Sequence, residues 1–336
     1  MNNIIDIWKR GRCLRRAFSE HKECMRSVYA IADEIVQTPQ GTPAEFSVSM
    51  DQIPASFYSI RKNLFSALFM SIYIMLKVSK ERRALYGKLN HLFRTWVTSA
   101  DNLLDDESKV VIPLEIHGKS HVMREVIAIM TADRVLNRIL NEAVRDNIIT
   151  YDESKLLSEL SLQVLLPSAA QEASEEAGVL VRPDPEYVFS TIHRYKTGLL
   201  FHIPLLGPES IESGINQDVL ASIKSGLMNF GLGCQLLDDV RDVGRDLRDK
   251  RHNYLLSMLS RDYPDKYSKL IGSTDHDRLY HHMPEVAIPA ARRGLSVMRQ
   301  GLSELDSVGL DINGSGVDFM AENMFKVLDL EDLTYA

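Results

Sequence analysis

Several things this sequence has little of narrow its class. Cysteine is scarce: Cys13, Cys24 and Cys234 are odd in number, scattered, and without metal-ligand spacing, so no disulfide scaffold is expected and a reducing cytoplasm is. Bases do not outnumber acids, and the formal net charge of −7 argues against nucleic acid as the main partner. It still leaves room for a local basic patch around a small anion. No apolar run is long enough for a membrane. The longest, Leu64 to Leu76, has thirteen residues and would span only about 20 Å as a helix, against roughly 30 Å of bilayer hydrocarbon. Met1 to Arg16 mixes acids, bases and Trp8 and lacks the uninterrupted apolar core of a secretory signal. There is no Gly/Ser- or Pro-rich linker, repeat or low-complexity tract, so residues 1–336 are expected to form one domain.

What is present is helical periodicity. Apolar positions recur at helical spacing from Asp6 to Val36, from near Ala55, from Leu85 to Asp106, from Val122 to Asn147 and from Ser154 to Glu176. The pattern returns from Pro185, a good first-turn residue, to Leu200, then from about Asp218, and again after Asp277. Gln37 to Asp51 and Val110 to Ser120 read as connections. Strand signals are weak everywhere, and the expected class is all-α.

Within the Asp218 helix, Asp238, Asp242 and Asp246 fall four apart, so a helix stacks their carboxylates on one face over two turns. Like charges in a column repel unless cations sit on them. Two readings are open: a charged face laced with salt bridges to Arg241, Arg245 and Arg248, or a site for hard divalent ions such as Mg²⁺. A second acidic cluster, Asp101, Asp105 and Asp106, repeats the four-residue step and favours metal. Two such columns facing one another would bind metal between them.

Other residues could serve the same anion. Arg194, Lys196 and Thr197 stand beside an apolar strip, and Lys-Thr-Gly inside a helix is costly enough to ask for a reason. Lys250, Arg251 and Tyr254 follow the acidic column, with the bases placed to grip an anion held at the metals. Arg61 and Lys62 read either as bases snorkelling at a helix end or as a diphosphate contact. Trp96, five residues before Asp101, is a candidate floor for a cavity, with ordinary core packing as its other reading.

Taken together, the acids at Asp101 to Glu107, the Lys196-Thr197-Gly198-Leu199-Leu200-Phe201 stretch and Gln235-x-x-Asp238-Asp239-x-x-Asp242 resemble the trans-isoprenoid diphosphate synthase superfamily over roughly residues 55 to 260. That resemblance implies one helical bundle around a deep apolar cavity, with two aspartate-rich motifs facing at its mouth. It implies three Mg²⁺ ions held by Asp101, Asp105, Asp106, Asp238, Asp242 and Asp246. Arg194, Lys196, Lys250, Arg251 and Tyr254 would bind the diphosphate of a prenyl substrate, with Asp101, Asp105 and Asp238 essential to its ionisation. Homodimerisation is a further expectation from the resemblance.

The sequence also departs from the elongating members, whose first motif is Asp-Asp-x-x-Asp followed by paired arginines, with an early Gly-Lys-Arg-type element. Here Ser108, Lys109 and Val110 follow Glu107, and Arg61-Lys62 is a remnant of the early element. This places first a class I terpene synthase that ionises one C15 or C20 allylic diphosphate and cyclises or quenches the cation. The alternatives are an elongating prenyl diphosphate synthase or a squalene/phytoene-synthase-like condensing enzyme, with a non-catalytic subunit behind them.

Overall fold

The computed structural model describes residues 11–105, 107–117, 120–271 and 278–333. In chain order its helices are α1 (Arg12–Ile35), α2 (Ile60–Met75), α3 (Lys80–Asp105), α4 (His121–Arg145), α5 (Tyr151–Gln163) and α6 (Leu166–Ala173). A composite helix α7 follows, made of Pro185–Tyr187, a π turn Val188–Ile192 and His193–Lys196. Then come α8 (Leu206–Ile211), α9 (Gln217–Arg248), α10 (Tyr254–Asp262), α11 (Pro264–Ile271), α12 (Pro284–Leu305) and α13 (Asn313–Val327). The expectation of an all-α chain holds. No helix among the described residues is long and apolar enough to cross a membrane.

Strands β1 (Val48–Met50) and β2 (Leu114–Ile116) are the exception, pairing antiparallel with Val48 opposite Ile116. Both fall in stretches read from sequence as connections. Three residues are too few for a period of two to declare itself.

The chain packs as two compact units. One comprises residues 12–161 and 203–215. Here α1 packs on α2 and α3, and α3 on α4. Met25, Leu68, Met70, Ile72, Tyr73, Tyr86, Leu92 and Leu136 are fully buried side chains of its core. Each such aliphatic residue stabilises by about 1.5–3 kcal/mol relative to exposure. Several polar groups inside are paired: Asn90 donates to the Tyr73 hydroxyl at 2.6 Å, and Arg83 grips Glu20 with two bonds of 2.8 Å.

The described part of the other unit comprises residues 11, 162–202, 216–271 and 278–333. It is built on α9 against α12. Asn216 caps α9, its side-chain oxygen accepting from the N–H groups of Asp218 and Val219 at 2.9 and 3.1 Å. Leu227, Phe230, Leu236, Leu237, Val240 and Val243 fill the interior. The glycines that lower this helix's propensity are there for a close crossing: a Cβ on Gly233 would lie 2.7 Å from the Gly294 carbonyl oxygen.

Candidate active site

The α9 unit carries the acidic column. Asp238 keeps about a third of its side chain exposed (34%), and its carboxylate takes Arg241 Nη2 at 2.6 Å. Asp242 takes both Arg241 (Nε and Nη2, each at 2.7 Å) and Arg245 (2.6 Å). Arg248 pairs with Asp249 instead. Two of the three arginines expected of the salt-bridge reading therefore lie on the column. Asp246 is buried and accepts from Asn253 Nδ2 at 2.8 Å.

Protonation follows burial. Burial is the largest influence on Asp238; against the opposing Arg241, it and the neighbouring Asp242 and Asp239 push its carboxyl up to about 6. Burial also drives Asp246 well above the usual carboxylate range, with Asp239 adding to the shift. Asp239 goes the other way. Burial works to raise it, but His193, the Tyr254 N–H and Gln235 outweigh that and hold it low.

Facing this column within the unit, α7 contributes the Lys-Thr pair. The α-helical part ends at Lys196, and Thr197 (φ −126°) leads into a 3-10 turn, Gly198–Leu205. The sequence reading that ran one helix to Leu200 is corrected here: the costly Lys-Thr-Gly run is placed at a helix end rather than inside one. Thr197 donates to Gln235, four residues before Asp239. Lys196 Nζ lies 3.2 Å from Glu172 of α6. Burial would lower its pKa, but Glu172, Glu175, Asp246 and Asp239 overcome that and keep it firmly charged.

The loop after α9 is held from several sides. Lys250 is exposed with φ +55°, and its carbonyl accepts from Val179 N–H at 2.7 Å. Arg251 is half-buried, its N–H on the Asp246 carbonyl at 2.8 Å and its own carbonyl taken by Arg182. Glu175 accepts the His252 N–H at 2.7 Å. Asn253 caps α10, and Tyr254 is buried with its hydroxyl accepting from Arg293 at 2.6 Å. Arg194 is exposed on α7. Glu172, Glu175, Arg182 and Arg293 had no assigned role in the sequence. Nothing local marks them, since their contacts arise from segments far apart in the chain.

The α3 unit holds the other cluster. Asp101 and Asp105 lie exposed on the last turn of α3. Asn102 between them is buried and clamps the following turn, donating to the Lys109 carbonyl at 2.7 Å and accepting from its N–H at 3.1 Å. Asp106 lies outside the described residues. Lys109 pairs with Glu107. Trp96 donates to the Ile129 carbonyl of α4 at 3.3 Å, and its ring lies tilted 5.5 Å from that of Phe93. Lys62 lies over the Phe57 ring at 4.6 Å.

The donors suit a hard divalent cation. Among the described residues no three His, Cys, Asp or Glu side chains close on one point as a metal cage. Mg²⁺ does not require one, because it is commonly held by one or two carboxylates, with water and substrate phosphate completing an octahedron. Asp238 and Asp242, one turn apart, carry such oxygens, which Arg241 and Arg245 occupy here.

No protein-family model matches the sequence, and no curated protein does. Solved structures do match along nearly the whole chain. Heptaprenyl diphosphate synthase from Staphylococcus aureus aligns at 13% identity and TM-score 0.58, over 92% of this chain and 98% of that one. The chain has the trans-prenyl diphosphate synthase fold. Polyprenyl synthase from Caulobacter crescentus, complexed with calcium and isoprenyl diphosphate, aligns at 16% identity and TM-score 0.60 over 94% and 97% of the two chains. Geranylgeranyl pyrophosphate synthase from Corynebacterium glutamicum, with isoprenyl diphosphate and magnesium, shares this prenyl synthase fold at 12% identity and TM-score 0.60, over 95% and 99%.

Proposed function

We propose that this protein is a divalent-metal-dependent enzyme acting on prenyl diphosphates, and that its reaction is prenyl transfer. The observation that carries the proposal is the acidic column of α9 set beside Lys196 and the Thr197–Gln235 hydrogen bond, in a fold shared with synthases of heptaprenyl and geranylgeranyl diphosphate. Mg²⁺, when bound, supplies Lewis-acid stabilisation of charge on the departing diphosphate. Asp238 and Asp242 would hold it, with Asp101, Asp105, Asp106 and Asp246 as the remaining candidate ligands. Arg241, released from the column, Arg194, Lys250 and Arg251 are the cations available to the diphosphate oxygens. Lys196 keeps the surrounding acids from repelling that anion. The allylic cation left behind would be captured by a second isoprenoid's double bond, and the new cation would lose a proton to the released diphosphate to re-form a double bond.

Cyclisation of a single allylic substrate is the second reading, and it is the one the sequence alone put first. The observation favouring it is the turn after Asp105, where the paired arginines of elongating synthases are replaced by Ser108 and by a Lys109 committed to Glu107. The names of the structural neighbours, all prenyl or polyprenyl synthases, support our ranking of prenyl transfer ahead of it.

One assay separates the two. The protein is incubated with Mg²⁺ and geranyl, farnesyl or geranylgeranyl diphosphate, each with and without isopentenyl diphosphate. Longer diphosphates formed only with the homoallylic partner support transfer; a hydrocarbon or alcohol from one allylic substrate supports cyclisation. A folded protein inert toward every combination would defeat both.

A further inference from the structure

Two adjacent aspartates on α9 have unlike surroundings. Asp238 keeps a third of its side chain exposed and meets Arg241. Asp239 is 2% exposed, and hydrogen bonds within the protein already occupy its carboxylate. Its Oδ2 accepts from His193 Nε2 at 2.9 Å and from the Tyr254 N–H at 2.6 Å, and its Oδ1 accepts from Gln235 Nε2 at 2.9 Å. A carboxylate offers about four lone-pair positions. Three are taken, in a place that solvent does not reach. Neighbouring residues on a helix also point about 100° apart, so one metal cannot draw on Asp238 and Asp239 from the same face.

We infer that Asp239 is a positioning residue of the site rather than a ligand for metal, joining α7, α9 and the start of α10 through one carboxylate. This deepens the proposed function and rests on it. On the α7 side it holds His193, three residues before Lys196. The π turn Val188–Ile192 immediately precedes His193, and such turns are frequent at functional sites. His193 is 1% exposed, and its Nδ1 has no hydrogen-bond partner among the described residues, so its contact with Asp239 is what fixes the ring. On the α9 side Asp239 holds the Gln235 amide nitrogen, which leaves the amide oxygen to accept from Thr197. At α10 it takes the Tyr254 N–H, while Asn253 Nδ2 bonds both the Asp239 carbonyl (2.7 Å) and the Asp246 carboxylate (2.8 Å). The loop carrying Lys250 and Arg251 is thereby tied to the same point. Lys196, Thr197 and that loop are set relative to the acidic column by a group that does not itself bind metal.

The test compares Asp238→Asn, Asp239→Asn and His193→Gln, each checked for helicity by circular dichroism. Diphosphate release is measured against Mg²⁺ concentration, Mn²⁺ binding in the presence of inorganic diphosphate by electron paramagnetic resonance, and urea stability for the Asp239→Asn/His193→Gln double-mutant cycle. Asp239→Asn should lose roughly 10- to 100-fold in rate, as expected for a partner that orients functional groups, with Mn²⁺ affinity and half-saturating Mg²⁺ within about twofold of wild type. Asp238→Asn should raise both constants by roughly tenfold or more, since it removes an oxygen that touches the ion. The double mutant should be less destabilised than the sum of the single variants, because both remove one contact. Asp239→Asn weakening Mn²⁺ binding as far as Asp238→Asn, or strictly additive losses of stability, would overturn the inference. A folded wild type inactive on every prenyl diphosphate would defeat the proposed function instead, and the stability cycle would then judge Asp239 alone.

Discussion

The two acidic pairs share a four-residue step and differ in almost everything else. Asp101 and Asp105 sit on the exposed last turn of α3, where unsatisfied backbone carbonyls already concentrate negative charge. Carboxylates there are disfavoured without a cation, and solvent can bring one. Asp238 and Asp242 lie within α9, which continues to Arg248, and are partly buried among their own arginines. The same spacing gives a solvent-exposed acidic helix end in one unit and a partly buried column holding guanidinium groups in the other. Spacing specifies a shared face; burial and neighbours decide what the face will bind.

The strongest way to break this comparison is to remove one acid from each pair. Asp238→Asn, Asp101→Ala and Asp105→Ala should each cut turnover by roughly a thousandfold, the rate equivalent of several kcal/mol of lost metal stabilisation, with helicity unchanged. Initial rates at limiting Mg²⁺ read the result. If Asp101→Ala kept its rate while Asp238→Asn lost it, the exposed cluster would have no part in the chemistry.

Acid should sharpen the contrast between the units. His21, in the α3 unit, is buried and has its pKa lowered to about 4, with the Arg94 charge adding to the effect of burial. Its folded form is neutral, whereas an unfolded histidine titrates near 6.5. The associated stability is therefore complete above about pH 6.5 and drains away as pH falls to about 4, a loss of about 3 kcal/mol. His91, fully buried and also shifted downward, acts in the same direction. Urea unfolding at pH 7 and pH 4.5 with hydrogen-exchange readout should show α1 and α3 losing protection in acid. Unchanged protection there would mean that these rings are solvated.

In the α9 unit the vulnerable feature is the seam with α12. Gly233→Ala forces a methyl group against the Gly294 backbone and should cost about 1–3 kcal/mol, seen as a lower Tm. The smallest effect belongs to Arg241→Ala. Removing a partly exposed partner of Asp238 and Asp242 should lower the half-saturating Mg²⁺ roughly two- to fivefold, in keeping with the modest strength of such pairs. An unchanged or higher requirement would show that the arginine assists the metal rather than competing with it.

Sequence spacing disclosed the acidic column, because a step of four fixes a face once the segment is helical, and α9 is helical throughout that region. Asp239 was legible only as an acid about 100° away from Asp238. Its burial depends on His193 and Tyr254 arriving from helices 46 residues before it and 15 after it. The acids around Lys196 were hidden for the same reason. The β1–β2 pair was missed because each strand is shorter than the pattern that would reveal it. Helical periodicity and the resemblance carried by the motifs found the fold, while the chemistry between segments required coordinates.

The most direct test of the central claim is release of inorganic diphosphate from geranyl, farnesyl and geranylgeranyl diphosphates, with and without isopentenyl diphosphate, by the wild type and Asp238→Asn as Mg²⁺ is titrated. The account predicts Mg²⁺-dependent release by the wild type from at least one chain length and almost none by the variant. Equal release by both proteins, or none by a folded wild type at any chain length, would contradict it.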